Sequence, residues 1–366
     1  MEKAKISASQ LFILMVLFEL GTSLLLPIAM DAKQDAWLAI LFGMVLSFVL
    51  LLVYHRLYLY YPDLLPTEYM QKILGKALGS LLAFIYIFYF IYDVARVLRD
   101  IGEMLLTFAY PDTPLFIANA LLILVIIYTV RKGIEVIARS GEIFFIFMYI
   151  LAVTGFILIV CSGLIDFKNL RPVLEEGIFP ILKVTFNQIL YFPFGEAIVF
   201  TMILPYLKNP KKAKVTMIWA TGLTGINLTI TMIVNLSVLG VDLTARSQFP
   251  LLSTVQSIQV ADFLERLDVF FMLALVIGGF FKISVLFYAA VIGTANLFKI
   301  KSPSRLSYPF GIIILFMSLT ISSNFQEHVH EGIGVEMFVL HIPLLAIIPP
   351  LLLLIAFLKN RKKQKV

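Results

Sequence analysis

Cysteine is almost absent from this chain of 366 residues, because Cys161 is the only one. A lone cysteine cannot form an intrachain disulfide and cannot supply the paired thiolates of a structural zinc site. Histidine is also scarce, although His328 and His330 lie close to Glu327 and Glu331. Histidines two apart do not share a helical face, and no HExxH pattern occurs, so we predict a solvated loop and no metal.

The chain also contains no Walker-type phosphate loop, so nothing in it points to ATP-driven chemistry. We therefore predict no catalytic residue and no cofactor, and we do not expect an enzyme. Two Asn-x-Ser/Thr triplets, at residues 227–229 and 235–237, lie within an apolar segment. We interpret both as chance matches to the glycosylation pattern.

Charged residues are scarce, at 14% of the chain, whereas 60% of residues are hydrophobic and the mean hydropathy is +0.96. A soluble domain of this length needs far more polar surface. The composition predicts an all-α polytopic membrane protein with one integral membrane domain over residues 1–366. We place a first repeat at about 9–163, a second at about 181–358 and a basic cytoplasmic tail at 359–366.

Ten apolar segments are candidates for membrane-spanning helices. About 20 apolar residues are needed to cross roughly 30 Å of hydrocarbon. We predict spans at 9–30, 36–60, 78–110, 114–131, 141–163, 181–206, 213–239, 264–297, 308–324 and 335–358. Residues 241–261 then form an outer connection, which is either an amphipathic lid or a plain interfacial segment.

Most lysine and arginine residues lie on alternate connections of this arrangement. They precede span one, follow the even-numbered spans from two to eight, and fill the tail. The positive-inside rule assigns such connections to the cytoplasm, so we predict that both termini are cytoplasmic. The net charge of +6 then reflects topology and a weak attraction to anionic membrane lipid, with no nucleic-acid surface.

Two spans, five apart in order, are interrupted beside a glutamate. Residues 19–23 read ELGTS and residues 192–196 read FPFGE. Non-helical backbone is tolerated at membrane depth only where protein or a water-filled cavity surrounds it, and paired interruptions in two halves are typical of transporter binding sites. The alternative is that glycine and proline merely kink these helices.

The chemistry of such interruptions indicates what they bind. A half-helix that restarts in the membrane offers free N–H groups to a carboxylate, while the preceding half offers carbonyls to an ammonium group or a cation. One cavity with both features fits a zwitterionic amino acid. Spans three and eight are the longest and carry interior charge. The order of one broken, one ordinary, one long and two ordinary spans therefore occurs twice, as an inverted five-helix repeat would produce.

Six charged residues lie at membrane depth, where each costs about 2.5–3.5 kcal/mol unless it is paired or hydrated. They are Glu19, Asp93, Arg96, Arg99, Glu196 and Lys282. On span three the spacing places the charges on one helical face, either as a structural salt-bridge stripe or as a charged cavity wall or gate.

Lys282 stands alone among apolar residues of span eight. Its role is either a structural ion pair with Glu19 or Glu196, or that of a lysine that replaces a coupling cation or switches with ligand. A different placement of this helix is the third possibility.

Several segments give the chain a resemblance to a known family. They are residues 169–174 (NLRPVL) with Gly177, 191–196 (YFPFGE) followed by 205–207 (PYL), 111–114 (PDTP), 131–135 (RKGIE) and 265–268 (ERLD). In their order and spacing the chain resembles the membrane-embedded B subunits of bacterial spore germinant receptors, within the amino acid–polyamine–organocation transporter superfamily.

The resemblance implies a LeuT-like fold with a 5+5 inverted repeat of ten transmembrane helices, of which helices 1 and 6 are broken. It also implies a ligand site near the midplane, lined by spans one, three, six and eight. The residues that it places there are Gly21, Thr22, Ser23, Tyr92, Phe192, Gly195, Glu196, Ser284 and Tyr288. Ser284 and Tyr288 are four apart and share a helical face. Some members of the superfamily carry a coupling lysine in span five, but residues 143–160 here contain no lysine, arginine, histidine, aspartate or glutamate.

The function that the resemblance implies is the sensing of a small nutrient, typically an amino acid, which triggers germination. It implies a location in the bacterial cell membrane or spore inner membrane, with an A-type subunit and a lipoprotein C-type subunit as partners. The residues alone do not distinguish such a receptor from a proton- or cation-coupled amino acid permease, which stays the alternative.

Overall fold

The computed structural model describes residues 5–258 and 267–363, and these form a bundle of helices. The α-helices are α1 (Ala8–Leu20), α2 (Ala36–Tyr60), α3 (Pro66–Leu74), α4 (Lys76–Phe108), α5 (Leu115–Arg131), α6 (Ile134–Cys161), α7 (Ile178–Val184), α8 (Ala213–Arg246), α9 (Pro250–Gln256), α10 (Leu267–Leu297), α11 (Ser307–Thr320), α12 (Phe325–Glu331) and α13 (Ile348–Lys363). Parts of four predicted features lie outside the described residues: 259–261 of the outer connection, 264–266 of span eight, 265–266 of the ERLD segment and 364–366 of the tail.

Six helical stretches of the described chain are long and apolar enough to cross a membrane: Met30–Tyr60, Lys76–Phe108, Ile134–Cys161, Pro210–Arg246, Asp268–Leu297 and Phe325–Arg361. Ala8–Leu20 and Leu115–Arg131 are apolar but shorter. The all-α membrane class is thereby confirmed, while the count of ten spans stays a prediction. Most predicted boundaries lie within a few residues of the helix ends, and span two matches α2.

The surroundings of each helix follow from its apolar pattern. Along α6 one side chain after another faces outward, as for Ile143 with 71% of its surface exposed, which suits a helix in contact with lipid. α4 and α10 are mostly buried and pack against each other in the interior. Asp93, Arg96 and Arg99 of predicted span three and Lys282 of predicted span eight lie inside the bundle.

The first interruption ends α1. Ser7 caps the helix with a capping box, in which its Oγ accepts from the Gln10 N–H while Gln10 Oε1 accepts from the Ser7 N–H. The helix ends at Leu20, and the chain then turns until a 3₁₀ segment begins at Met30. Span one therefore does not resume as an α-helix over residues 21–30, which differs from the predicted half-helix that restarts at depth.

The second interruption is longer. α7 continues as a π-helix over Thr185–Ile189, turns through residues 190–194 and resumes as a 3₁₀ helix over Gly195–Met202. A third irregular stretch, the π-helix Gly332–Ile347, joins α12 to α13 and contains Pro343. π-helices are rare and occur mostly at functional sites.

Side chains from neighbouring helices hydrogen-bond the irregular backbone. Tyr54 Oη on α2 donates to the carbonyls of Leu345, at 2.6 Å, and Gly195, at 3.2 Å. Gln188 Oε1 accepts from the Ala29 N–H at 3.2 Å, which joins the two interrupted spans. Because hydrocarbon offers no hydrogen bonds, these contacts let the breaks persist inside the protein.

The outer connection predicted at residues 241–261 contains α9, which packs against α8 and α10. Phe249, at its start, is 1% exposed and lies between the rings of Phe108 and Phe325, with centroid distances of 5.7 and 5.2 Å. Residues 249–255 of this connection thus pack against the protein, whereas residues 241–246 belong to the end of α8, where Leu243 is 60% exposed. Its action as a lid stays a prediction.

α3 lies against the start of α4, where Gly79 permits a close approach. A Cβ atom at Gly79 would stand 2.4 Å from the Gln71 Cα and 2.5 Å from the Met70 carbonyl oxygen. Both are backbone atoms, which cannot move aside as a side-chain end can.

We expect Gly79→Ala to destabilise the purified protein by about 1–3 kcal/mol, because α3 and α4 must separate. Gly222→Ala is the matched control, since a Cβ there meets only Phe48 Cζ at 3.8 Å. Thermal unfolding in detergent measures both. Equal unfolding temperatures for the two variants would contradict this packing.

Candidate functional site

The two interrupted spans meet at Lys282, which extends from α10 and is completely buried. Its ammonium group lies 2.6 Å from Glu196 Oε2, at the second break, and donates to Thr22 Oγ1, at the first break, over 3.2 Å. The same Nζ atom lies 4.6 Å from the centre of the Phe192 ring and 5.4 Å from that of Phe18. One lysine thus joins both breaks, and of its two predicted partners the structure places Glu196 against it.

Two glycines allow α10 to approach the first break. A Cβ atom at Gly278 would lie 3.2 Å from the Gly21 Cα, and one at Gly21 would lie 3.1 Å from the Lys282 Cβ. A larger residue at either position would displace the helix that carries the lysine. Gly21 therefore determines the spacing of this site, although it does not line the cavity described below.

Glu19, the other predicted partner of Lys282, is occupied elsewhere. It is fully buried, and its Oε1 accepts a hydrogen bond from Thr221 Oγ1 on α8 at 2.6 Å. Ser23 Oγ in turn donates to the Glu19 carbonyl at 2.6 Å. Glu19 and Ser23 thus hold the end of α1 in place beside α8.

The charged face of α4 divides into two parts. Arg96 Nε lies 2.7 Å from Glu336 Oε2 in the π-helix, and its guanidinium also donates to the His328 carbonyl. Arg99 Nε lies 2.7 Å from Glu103 Oε1, and its Nη1 donates to the Ser318 carbonyl of α11 at 3.3 Å. Arg99 is thus paired within a helix contact, whereas Arg96 and Asp93 line a cavity. The charged face of α4 therefore contains both a set of salt bridges and part of the wall of a cavity.

The cavity at mid-bundle has a volume of about 50 Å³. It is bordered by Thr22, Phe192, Glu196 and Lys282, by Asp93, Arg96 and Asp100 of α4, and by His328, Glu336 and His341. It shares Gln188, Val329 and Ile333 with a vestibule of about 1350 Å³, whose wall includes Lys33, Glu176 and Arg246. The small cavity therefore adjoins a large open space.

Other residues predicted for the ligand site do not line this cavity. Tyr92 is half-buried and contacts Arg96, with its Oη 3.5 Å from Nη1. Gly195 contributes its carbonyl to Tyr54, and Ser284 is completely buried within α10. The Tyr288 ring lies 6.3 Å from that of Tyr206. Binding roles for these four residues stay predictions.

Glu336 and His341 were missed as candidates, although both are ionisable residues inside a predicted span. They are five apart, which an α-helix places on different faces. In the π-helix, where hydrogen bonds run from i to i+5, His341 Nε2 lies 3.4 Å from Glu336 Oε1. The signal available in the sequence was the presence of ionisable residues at depth.

The prediction of a solvated loop at residues 327–331 was wrong for His328. This residue is 1% exposed, and its Nε2 lies 3.0 Å from Asp100 Oδ1. The segment belongs to α12, which Asn324 caps by accepting from the Glu327 N–H at 2.9 Å. One face of this short helix turns towards α4, so His328 is buried and His330 lines the vestibule.

Comparisons with known proteins agree with this arrangement. The family model described as spore germination protein matches residues 5–326. Spore germination protein KB of Bacillus subtilis (strain 168) is 52% identical over 365 residues, which cover 100% of this chain and 98% of that protein. Spore germination protein YndE of the same organism is 28% identical over 364 residues, or 98% of each chain.

Among solved structures, the crystal structure of MhsT in complex with L-phenylalanine superimposes with a TM-score of 0.71. The superposition covers 98% of this chain and 99% of that chain at 12% identity. Such identity bears on the fold alone, and it confirms the predicted LeuT-like fold.

The buried pair at the breaks should matter far more to stability than an exposed pair of the same geometry. Lys33 and Glu176 also lie 2.6 Å apart, but 59% and 56% of their side chains are exposed, against 0% and 1% for Lys282 and Glu196. We expect Lys282→Met to cost about 3–5 kcal/mol, because it leaves a buried carboxylate unpaired. Lys33→Met should cost less than about 1 kcal/mol.

The free energy of unfolding of the detergent-solubilised protein measures both changes. The double variant Lys282→Met/Glu196→Gln should recover part of the loss, because it removes both charges. Similar losses for Lys282→Met and Lys33→Met would contradict the buried pairing.

Proposed function

This chain belongs to the spore germination protein family, and from this premise we propose that it is the nutrient-sensing membrane subunit of a spore germinant receptor. A small ligand, with an amino acid as the expected class, binds where the two breaks meet and triggers germination. The observation that carries this proposal is that Lys282 contacts Glu196 at the second break and Thr22 at the first, beside a cavity that adjoins the vestibule.

The cavity volume suggests how sensing works. Binding sites for small molecules usually measure about 300–1000 Å³, so a cavity of about 50 Å³ must enlarge to admit a nutrient. Thr22, Phe192 and Glu196 are in contact with Lys282, and a ligand that enters must displace or replace some of these contacts. A ligand shifts a conformational equilibrium only by its difference in affinity for the two states.

An ammonium group has a defined place in this scheme. It can bind the carboxylate of Glu196 and thereby release Lys282, while backbone N–H groups near the breaks donate hydrogen bonds to the carboxylate of the amino acid. α10 carries Lys282 and packs against α1, α4 and α6. Release of the lysine therefore changes a contact between helices, which is the signal that partner subunits read.

We also propose partner subunits and a membrane location for this chain. The partners are an A-type subunit and a lipoprotein C-type subunit, and the location is the spore inner membrane with both termini cytoplasmic. The chain acts by binding and has no catalytic step. A proton- or cation-coupled permease would share the fold but would accumulate its ligand, which vesicles containing this chain alone can measure.

A nutrient screen tests the proposal. The purified protein is heated with proteinogenic amino acids, singly and with monosaccharides, and unfolding is followed. At least one nutrient should stabilise the protein, by about 2.7 kcal/mol at one hundred times its dissociation constant. Glu196→Gln should lose this stabilisation, whereas Glu135→Gln, in an exposed pair with Arg139, should retain it.

The same variants can be tested in spores by measuring the germination response. We expect Glu196→Gln spores to lose the response to the stabilising nutrient while the receptor still assembles, as immunoprecipitation of the complex shows. A normal response in these spores, or stabilisation of both variants by the same nutrient, would contradict the site. Concentrative uptake in vesicles would favour the permease instead.

A further inference from the structure

Three side chains with metal-binding groups converge in the mid-bundle cavity from separate parts of the fold. Asp93 comes from α4, Glu196 from the second break and His341 from the π-helix Gly332–Ile347. One potential ligand atom from each lies within 4.8 Å of the other two. All three residues are at least nine-tenths buried, with exposed fractions of 4%, 2% and 4%.

Atoms of these three residues lack hydrogen-bond partners among the described residues. They are Asp93 Oδ2, Glu196 Oε1 and His341 Nδ1, while His341 Nε2 lies 3.4 Å from Glu336 Oε1. Buried polar atoms are normally hydrogen-bonded, and the exceptions in a native structure need an explanation such as a bound ion. The three residues line one cavity, so a single bound ion can satisfy all of them.

The cations next to this cluster are already engaged. Lys282 is paired with the other oxygen of Glu196 and with Thr22, and Arg96 is paired with Glu336 and the His328 carbonyl. Neither of them reaches the orphan atoms by a hydrogen bond. The unmet bonding capacity therefore lies on the carboxylates and the imidazole.

The charge around the cavity leads to the same conclusion. Its wall carries the four carboxyl groups of Asp93, Asp100, Glu196 and Glu336, against the two basic side chains of Arg96 and Lys282. If all six groups are ionised and both histidines are neutral, the net charge of the wall is −2, and buried charge without compensation is strongly unfavourable. One divalent cation restores neutrality.

Size and access also suit an ion. A water molecule needs about 10–15 Å³ of probe-occupied volume, so a cavity of about 50 Å³ holds a cation with one or two waters. Gln188, Val329 and Ile333 border both this cavity and the vestibule, which provides an entry path.

We propose that Asp93, Glu196 and His341 form a binding site for a divalent transition-metal cation of the Zn²⁺ or Mn²⁺ type. Carboxylate and imidazole ligands together suit these metals, whereas Ca²⁺ takes six to eight oxygen ligands. Glu336 Oε1, 3.4 Å from His341 Nε2, is the kind of carboxylate that orients a metal-binding histidine. This site goes beyond the nutrient sensing proposed above and does not require it.

Metal binding to the purified full chain tests the proposal. The detergent-solubilised protein is stripped with a chelator and titrated with Mn²⁺, and free Mn²⁺ is followed by electron paramagnetic resonance. Zn²⁺ is then tested by competition. We expect one Mn²⁺ per chain that Zn²⁺ displaces, and a rise in the unfolding temperature with either metal.

Substitutions of the proposed ligands test whether the metal binds at this cavity. Asp93→Asn and His341→Gln should each weaken binding by about 10-fold or more, the size seen when a metal site loses a ligand or its support. His55→Gln and Glu135→Gln are matched controls outside the cavity and should bind as the unchanged chain does. Zn²⁺ should stabilise Lys282→Gln more than the unchanged chain, because it supplies the positive charge that the variant lacks.

Two results would overturn the proposal. One is a stripped protein that binds neither metal, in which case protons supply the missing charge. The other is metal binding of unchanged strength in Asp93→Asn and His341→Gln, which would place the ion on surface groups. Size-exclusion profiles of the variants show that they are folded, and neither result bears on the nutrient response of spores.

Discussion

Burial of charge without water is the constraint on which the rest of this structure depends. A lysine and a glutamate at mid-depth would each cost about 2.5–3.5 kcal/mol alone, yet Lys282 and Glu196 are both buried and lie 2.6 Å apart. Because Lys282 also donates to Thr22, this one side chain contacts both places where the helices are interrupted. Under the proposed function, a ligand that competes for either partner would act where the two interrupted spans and α10 meet.

Charged side chains around the pair connect it to the helices next to the vestibule. Asp100 contacts His328 on α12, and Arg96 bonds both the His328 carbonyl and Glu336 in the π-helix. These contacts hold α12 and the following π-helix over the cavity, beside the vestibule. Changes of charge inside the cavity thus act directly on the segments that separate it from the open space.

Much of this arrangement could be predicted from residue patterns. Apolar runs of sufficient length indicated where most of the helices lie, because hydrocarbon thickness determines helix length. Gly21 and Pro193 beside glutamates marked the breaks, and Lys282 stood out because a lone charge in an apolar helix needs a partner. The choice of Glu196 over Glu19 could not be predicted, since it depends on Thr221 of α8 occupying Glu19.

Other features depend on backbone geometry that the patterns do not reveal. The pairing of Glu336 with His341 depends on the π-helix. No known residue pattern predicts a π-helix of sixteen residues. His328 is buried only because α12 turns one face to α4, and a short polar segment between apolar spans resembles a solvated loop. Residues 21–29 turn instead of resuming a helix, which the glycine at position 21 alone does not determine.

Disulfide cross-linking is the most direct test that the first break and the lysine-bearing helix meet inside the bundle. In a Cys161→Ser/Glu196→Gln background, the pair Gly21→Cys/Lys282→Cys should cross-link on mild oxidation, because a Cβ at Gly21 lies 3.1 Å from the Lys282 Cβ and a disulfide joins Cβ atoms about 3.5–4.5 Å apart. Glu196→Gln avoids leaving a buried carboxylate without its lysine partner. Ile6→Cys/Leu207→Cys, at the parallel bridge, serves as a positive control, and Gly21→Cys/Ile143→Cys, with Ile143 facing outward on α6, as a negative one. Cross-linking of the first two pairs alone is the expected result. A folded protein in which only the bridge pair cross-links would contradict the account.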